Sequence, residues 1–189
     1  MKNLILLTVS IALSFTSITA QAWELDQSHS NLRFSVTHLM VSDIQGSIKI
    51  KEATLNTPKA DFTDATVYLL GDMSSIDTDN DQRDEHLRTA DFFNTEKFPD
   101  LTFQSTAFKK VSENKYEVTG LLTFHGISKT TTLSVVASPG VQPWDNKTIV
   151  GFKVTGTIKR TDFGIGLDSP AAVLSEEVGI IANVIFGKS

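Results

Sequence analysis

Between Asp77 and Asp91 the chain carries Asp77, Asp79, Asp81, Arg83, Asp84, His86, Arg88 and Asp91, its densest set of reactive side chains. Carboxylates beside a histidine and two arginines can move a proton or hold an anionic head group. The spacing Asp77-x-Asp79-x-Asp81 opens like a calcium loop. That loop requires Gly at its sixth position and Glu at its twelfth, and here those positions hold Gln82 and Arg88. His29, His38, His86 and His125 lie on four separate stretches, with none of the close pairs from which zinc sites are often built, so no metal is expected. Ser28-His29-Ser30 sets hydroxyls beside an imidazole in sequence alone. Adjacent strand residues face opposite ways, so a hydrogen-bonding cluster at a strand start is the better reading. With no Gly-x-Ser-x-Gly elbow and no cysteine, no catalytic residue is assigned.

The charged cluster needs an element to carry it, and Asp79 or Asn80 can cap a short helix running to about Thr89. Asp84 and Arg88 stand i to i+4 in the acid-first order, a pair worth only about 0.3 to 0.5 kcal/mol on an exposed face. Stability alone is a weak reason for so many charges. Phe92, Phe93, Phe98 and Pro99 follow at once, and such aromatics are expected to tuck under the helix and pin it across one end of whatever the strands build.

Around that helix the chain alternates apolar and polar residues with period two, as in Leu32, Phe34, Val36 and in Val178, Ile180, Ala182, Val184, Phe186. About eight strands follow from this pattern, separated by turn residues such as Asn56-Thr57-Pro58 and His125-Gly126. Connections this short imply antiparallel neighbours. Tyr68-Leu69-Leu70, Leu121-Leu122 and Ile180-Ile181 are apolar on both parities, which fits a closed barrel whose outside is partly covered by a helix, by loops or by a second subunit in a homodimer. The predicted fold is therefore all-β, an eight-stranded antiparallel barrel with one short helix at about 80–89. Such a barrel is either filled by its own side chains or holds one slender ligand. From pattern alone Phe34, Phe103, Phe124 and Phe152 read first as core.

Lys2, an apolar run from Leu4 to Ile18 and Ala20-Gln21-Ala22 have the form of a secretory signal over residues 1–22, cleaved after Ala22. The run is broken by Thr8, Ser10, Ser14, Thr16 and Ser17, so no stable membrane anchor is expected. One domain is expected over 23–189, located in the periplasm and stabilised by its core, since no disulfide is possible. A net charge of −5 with scattered lysines lacks the footprint of a nucleic-acid binder.

Several stretches together resemble the YceI-like family of exported bacterial proteins, a polyisoprenoid-binding, lipocalin-like domain. They are Trp23-x-Leu25-Asp26-x-x-His29-Ser30 with Phe34-x-Val36-x-His38; Ser75-Ile76-Asp77-Thr78; Arg83-Asp84-x-His86-Leu87-Arg88-x-x-Asp91-Phe92-Phe93; Phe98-Pro99-x-Leu101-x-Phe103-x-Ser105; Gly120-x-Leu122-Thr123-x-His125-Gly126; and Arg160-x-Asp162-Phe163-Gly164. The family usually has Lys-Pro after the His-Gly turn, where this chain has Lys129-Thr130. The resemblance implies a barrel with a long apolar pocket for an isoprenoid lipid or quinone tail, no cofactor and no established reaction. Its inward row would then be Phe34, Val36, Ile48, Val67, Leu69, Phe103, Val118, Leu122, Leu133, Val135, Phe152, Val154, Ile180 and Ala182. His29, Arg83, His86 and Arg88 would form the polar rim. The alternative is an enzyme acting on a small amphiphile through the Arg83, Asp84, His86 and Arg88 cluster, with His86 or His29 as general base.

Overall fold

The computed structural model describes residues 22–188. The apolar run over 4–18 lies outside them, and the cleavage expected after Ala22 falls at their edge. Among the described residues nine strands form one antiparallel sheet: β1 (Trp23–Leu25), β2 (Asn31–His38), β3 (Ser42–Asn56), β4 (Thr66–Asp77), β5 (Asp100–Ser112), β6 (Lys115–Phe124), β7 (Ile127–Val141), β8 (Thr148–Lys159) and β9 (Leu174–Lys188). Neighbours run in the order β1-β9-β2-β3-β4-β5-β6-β7-β8, and β9 also pairs with β8. That last pairing closes β2 to β9 into an eight-stranded barrel, with β1 added as a three-residue strand on β9.

Period-two patterning decides which side chains enter the barrel. Along β6 and β7 the buried residues Tyr116, Val118, Leu122, Phe124, Leu133, Val135 and Ala137 alternate with exposed ones. Where both parities are apolar the second residue stays outside, as Leu121 and Ile181 do, both exposed.

One end of the barrel is packed with aromatic rings. There Phe62 stacks edge-on against Tyr116 and Phe152, and Phe108 packs on both of those rings. The opposite end receives the two longest connections, β4–β5 and β8–β9. It holds the β2–β3 turn, the helix α1 (Asp81–Arg88) between β4 and β5, the β6–β7 turn, and the segment after β8 that starts with a short 3-10 turn at Arg160–Phe163.

Helix α1 has eight residues and is capped as its sequence predicts, the Asn80 side chain accepting from the Arg83 backbone N–H at 2.9 Å. The expected Asp84 to Arg88 pair does not form. Asp84 is buried and turned back to Thr78, while Arg88 donates to the backbone carbonyls of Ser74 and Ile76 on β4, both at 3.0 Å. Each residue found a partner inside the fold, where a hydrogen bond is worth more than an exposed pair. The aromatics do tuck beneath, with Phe93 against Phe124 at 5.4 Å and Phe98 against His125 at 4.7 Å.

Candidate binding cavity

The barrel interior is not filled. It encloses a cavity of about 400 Å³ lined mainly by aliphatic and aromatic side chains, within the size range of small-molecule sites. All fourteen residues of the expected inward row line it: Phe34, Val36, Ile48, Val67, Leu69, Phe103, Val118, Leu122, Leu133, Val135, Phe152, Val154, Ile180 and Ala182. Of the aromatics that read first as core, Phe103, Phe124 and Phe152 are buried in it and Phe34 packs against it, and all four also form walls of the cavity, held in place by neighbours at close range. Gly46 on β3 shows how closely, since a Cβ there would fall 2.5 Å from Phe34 Cζ and 2.8 Å from Thr78 Cγ2.

No carboxylate lines the cavity among the described residues. Most of its polar lining gathers at the end that carries α1: His38 at the end of β2, Thr78 after β4, Arg83 and His86 on α1, Arg160 after β8, and Ser169, while Arg33 on β2 and Thr131 on β7 add polar groups within the strands. The interior is thus mainly apolar, with most of its hydrogen-bonding groups at one end.

Arg83 is half-buried and points its Nε to the Thr78 hydroxyl at 2.7 Å and its Nη2 to the Thr78 carbonyl at 2.6 Å. The same hydroxyl donates to Asp84 at 2.5 Å, so a carboxylate outside the cavity orders an arginine within it. His86 stands edge-on to Phe92 at 5.0 Å.

Arg160 is buried, and its guanidinium satisfies backbone oxygens instead of an acid. It donates to the carbonyls of Ser175, Ile165, Ser169 and Leu174 at 3.0, 2.9, 2.7 and 2.9 Å, and to that of Gly166. One side chain thereby organises the irregular segment between β8 and β9, which has no strand partner to satisfy it.

Two residues of the expected polar rim stand elsewhere. Arg88 faces β4 backbone outside the cavity, as described above. His29 lies before β2, at the other end of that strand, exposed and 2.8 Å from Asp26 through Nδ1. Ser28 joins this cluster, donating to Asp26 at 2.7 Å, so both residues face the same carboxylate because the segment is a turn and not a strand. The Ser28 hydroxyl lowers the Asp26 carboxyl most, burial opposes it, and His29 adds to the lowering, so the carboxyl lies below its ordinary range.

Sequence reasoning missed His38, Thr78 and Arg160 as lining residues. The signal for Arg160 was a lone arginine at the head of a Gly- and Ser-rich stretch, whose carbonyls must find donors.

The sequence model of the YceI-like domain matches residues 23–186. Protein YceI of Escherichia coli O157:H7 is 36% identical over 191 residues, covering 97% of this chain and 96% of that one. A Campylobacter jejuni YceI protein, solved as a cysteine mutant, superposes with a TM-score of 0.74 at 28% identity, covering 90% of this chain and 99% of that one. A polyisoprenoid binding domain from Saccharophagus degradans shares the fold, with a TM-score of 0.64 at 19% identity over 90% of this chain and all of that one (100%). The chain belongs to the YceI-like family.

Proposed function

We propose that this protein binds a polyisoprenoid lipid or an isoprenoid quinone inside its barrel and serves as its carrier in the periplasm. The observation that carries this reading is the cavity itself, lined mainly by apolar side chains and with most of its polar groups at its mouth. Burying apolar chain is worth about 0.8 kcal/mol per methylene, so a long tail could bind tightly in a dry slot even after ordering costs. The related domain of S. degradans is a polyisoprenoid binding domain, which supports the same ligand class here. The apolar run over 4–18 followed by Ala20-Gln21-Ala22 supports export.

The test is to purify the protein from a bacterium and identify what it carries, by native mass spectrometry and solvent extraction. An isoprenoid recovered in fixed proportion to protein is the expected result. Protein that carries no lipid, and gains none from a mixture of quinones and polyprenols, removes the proposal. Sequencing the mature N-terminus tests export separately.

His86 and Arg83 at the cavity mouth favour a second reading, catalysis on a bound amphiphile with His86 as general base. That reading requires turnover of a bound substrate that His86→Ala abolishes. Equal background rates for the two proteins would end it.

A further inference from the structure

The β2–β3 turn carries Leu39, Met40 and Val41, which are 50%, 74% and 81% exposed. Its geometry is that of a tight hairpin: the Val41 N–H donates to the His38 carbonyl at 3.1 Å, and Leu39 and Met40 have φ of 51° and 57°. A turn with positive φ at both central residues favours Asn-Gly, so a leucine and a methionine are poorly suited to it, and their side chains are not there to make the turn.

The turn stands at the cavity mouth. His38, where it begins, lines the cavity, as do the paired residues Val36 and Ile44 below it. The Leu39 N–H donates at 2.9 Å to the carbonyl of Val173, an exposed residue that lines the cavity from the other side. The most exposed apolar residues of that end therefore stand directly beside the cavity mouth. Beyond it the charges are mostly acidic, with Asp43, Asp168, Glu176 and Glu177 exposed and Lys159 set beside Glu177. A surface of this kind suits an electrically neutral lipid and lacks the basic stripe that anionic membranes attract.

We infer that Leu39, Met40 and Val41, with Val173 beside them, dock the cavity mouth onto a neutral lipid bilayer. The inference rests on the isoprenoid-binding reading, because an apolar tail then passes between membrane and barrel without crossing water.

The test is sedimentation of the full chain with phosphatidylcholine vesicles, with and without added phosphatidylglycerol. Leu39→Asn with Met40→Gly is the variant, since it improves the turn chemistry while removing the apolar tip. It should melt no lower than the parent, keep the same extractable ligand, and partition onto phosphatidylcholine about tenfold less or weaker still. Trp144→Ala, an exposed apolar residue on the β7–β8 turn at the opposite end, should partition unchanged. The inference is overturned if the turn variant partitions like the parent, if binding appears only with phosphatidylglycerol, or if Trp144→Ala is the variant that releases the protein. It is equally overturned if the turn substitutions leave vesicle binding intact and instead dissociate a dimer in analytical ultracentrifugation, which would make a second copy the occupant. Failure of the ligand reading shows separately, as protein that partitions through its turn yet never carries an isoprenoid.

Discussion

Thr78 and Asp84 grip each other twice, the Thr78 backbone N–H and hydroxyl both donating to one carboxylate oxygen of Asp84, at 2.9 and 2.5 Å. Both residues are buried, so this pair ties the end of β4 to the first turn of α1. Asp84→Ala should leave two buried donors without an acceptor and cost roughly 1 to 3 kcal/mol. A fall in melting temperature of several degrees is expected, with α1 exchanging its amide hydrogens faster than the barrel strands. Unchanged protection across α1 would show that Phe92 and Phe93 hold the helix without the pair.

Arg160 is the corresponding element on the other side of the mouth. Arg160→Lys keeps the charge but not the five-donor fork, so it should restore little of what Arg160→Met loses. Both variants are expected to lower the urea midpoint, with about 3 kcal/mol or more lost, because buried carbonyls are stranded in each case. A lysine variant as stable as the parent would mean that charge alone holds the segment.

Leu122→Trp and Val135→Trp each add bulk to a buried wall of the cavity. Overpacking of this kind typically costs about 1 to 3 kcal/mol, which thermal melts can follow. Both variants should fold as barrels and lose the ability to retain an isoprenoid. The same ligand at the same occupancy in both would place the binding site outside the barrel.

Substitutions at Arg83 and at Arg88 should separate recognition from support. Arg83→Gln should weaken a quinone by more than about 1 kcal/mol, while a headless polyprene of equal tail length binds as before. Arg88→Gln should lower the melting temperature and leave the ratio of the two affinities untouched, since its partners are carbonyls of β4. Competitive displacement of a fluorescent lipid measures both. Equal loss for headed and headless ligands in Arg83→Gln would make that arginine structural as well.

Tyr116 sets an alkaline limit on stability. It is buried, its hydroxyl donates to the Asp61 carbonyl at 2.8 Å, and burial, followed by the nearby Asp61 carboxylate, pushes its phenol up. A folded-state value above the ordinary one of about 10 means that the folded protein favours the protonated phenol. The resulting stability is present below pH 10 or so and is lost as pH rises through the raised folded value. Urea midpoints of the parent and of Tyr116→Phe should therefore converge as pH climbs past about 10. A constant gap between them would refute the assignment.

The barrel was legible because alternation leaves little choice: once Phe34, Val36, Leu122 and Val135 must share one face, strand periodicity puts them inside. Helix α1 was legible from Asn80 and the charges behind it. Side-chain direction was another matter. Arg88 and Asp84 are spaced to meet on a helix surface, and only the tertiary fold brings β4 carbonyls and Thr78 within reach to outbid them. His29 could not be separated from Arg83 by type or neighbourhood, because the distinction is which end of β2 each stands near. Arg160 shows the same limit, since its five carbonyls come from residues that gain a common centre only when their segment folds.

The β8–β9 pairing has a kinetic consequence. Asn31 on β2 pairs with Asn183 on β9, and β8 pairs with that same strand, so β9 joins two edges that are otherwise far apart. Until it docks, the other strands form an open trough with two unpaired borders and an apolar floor facing water. Contacts between such distant parts of a chain form late and slowly. The slot is thus a product of closure: it is walled on all sides only where β9 bridges β2 and β8, and an open trough offers an enclosed tail no place.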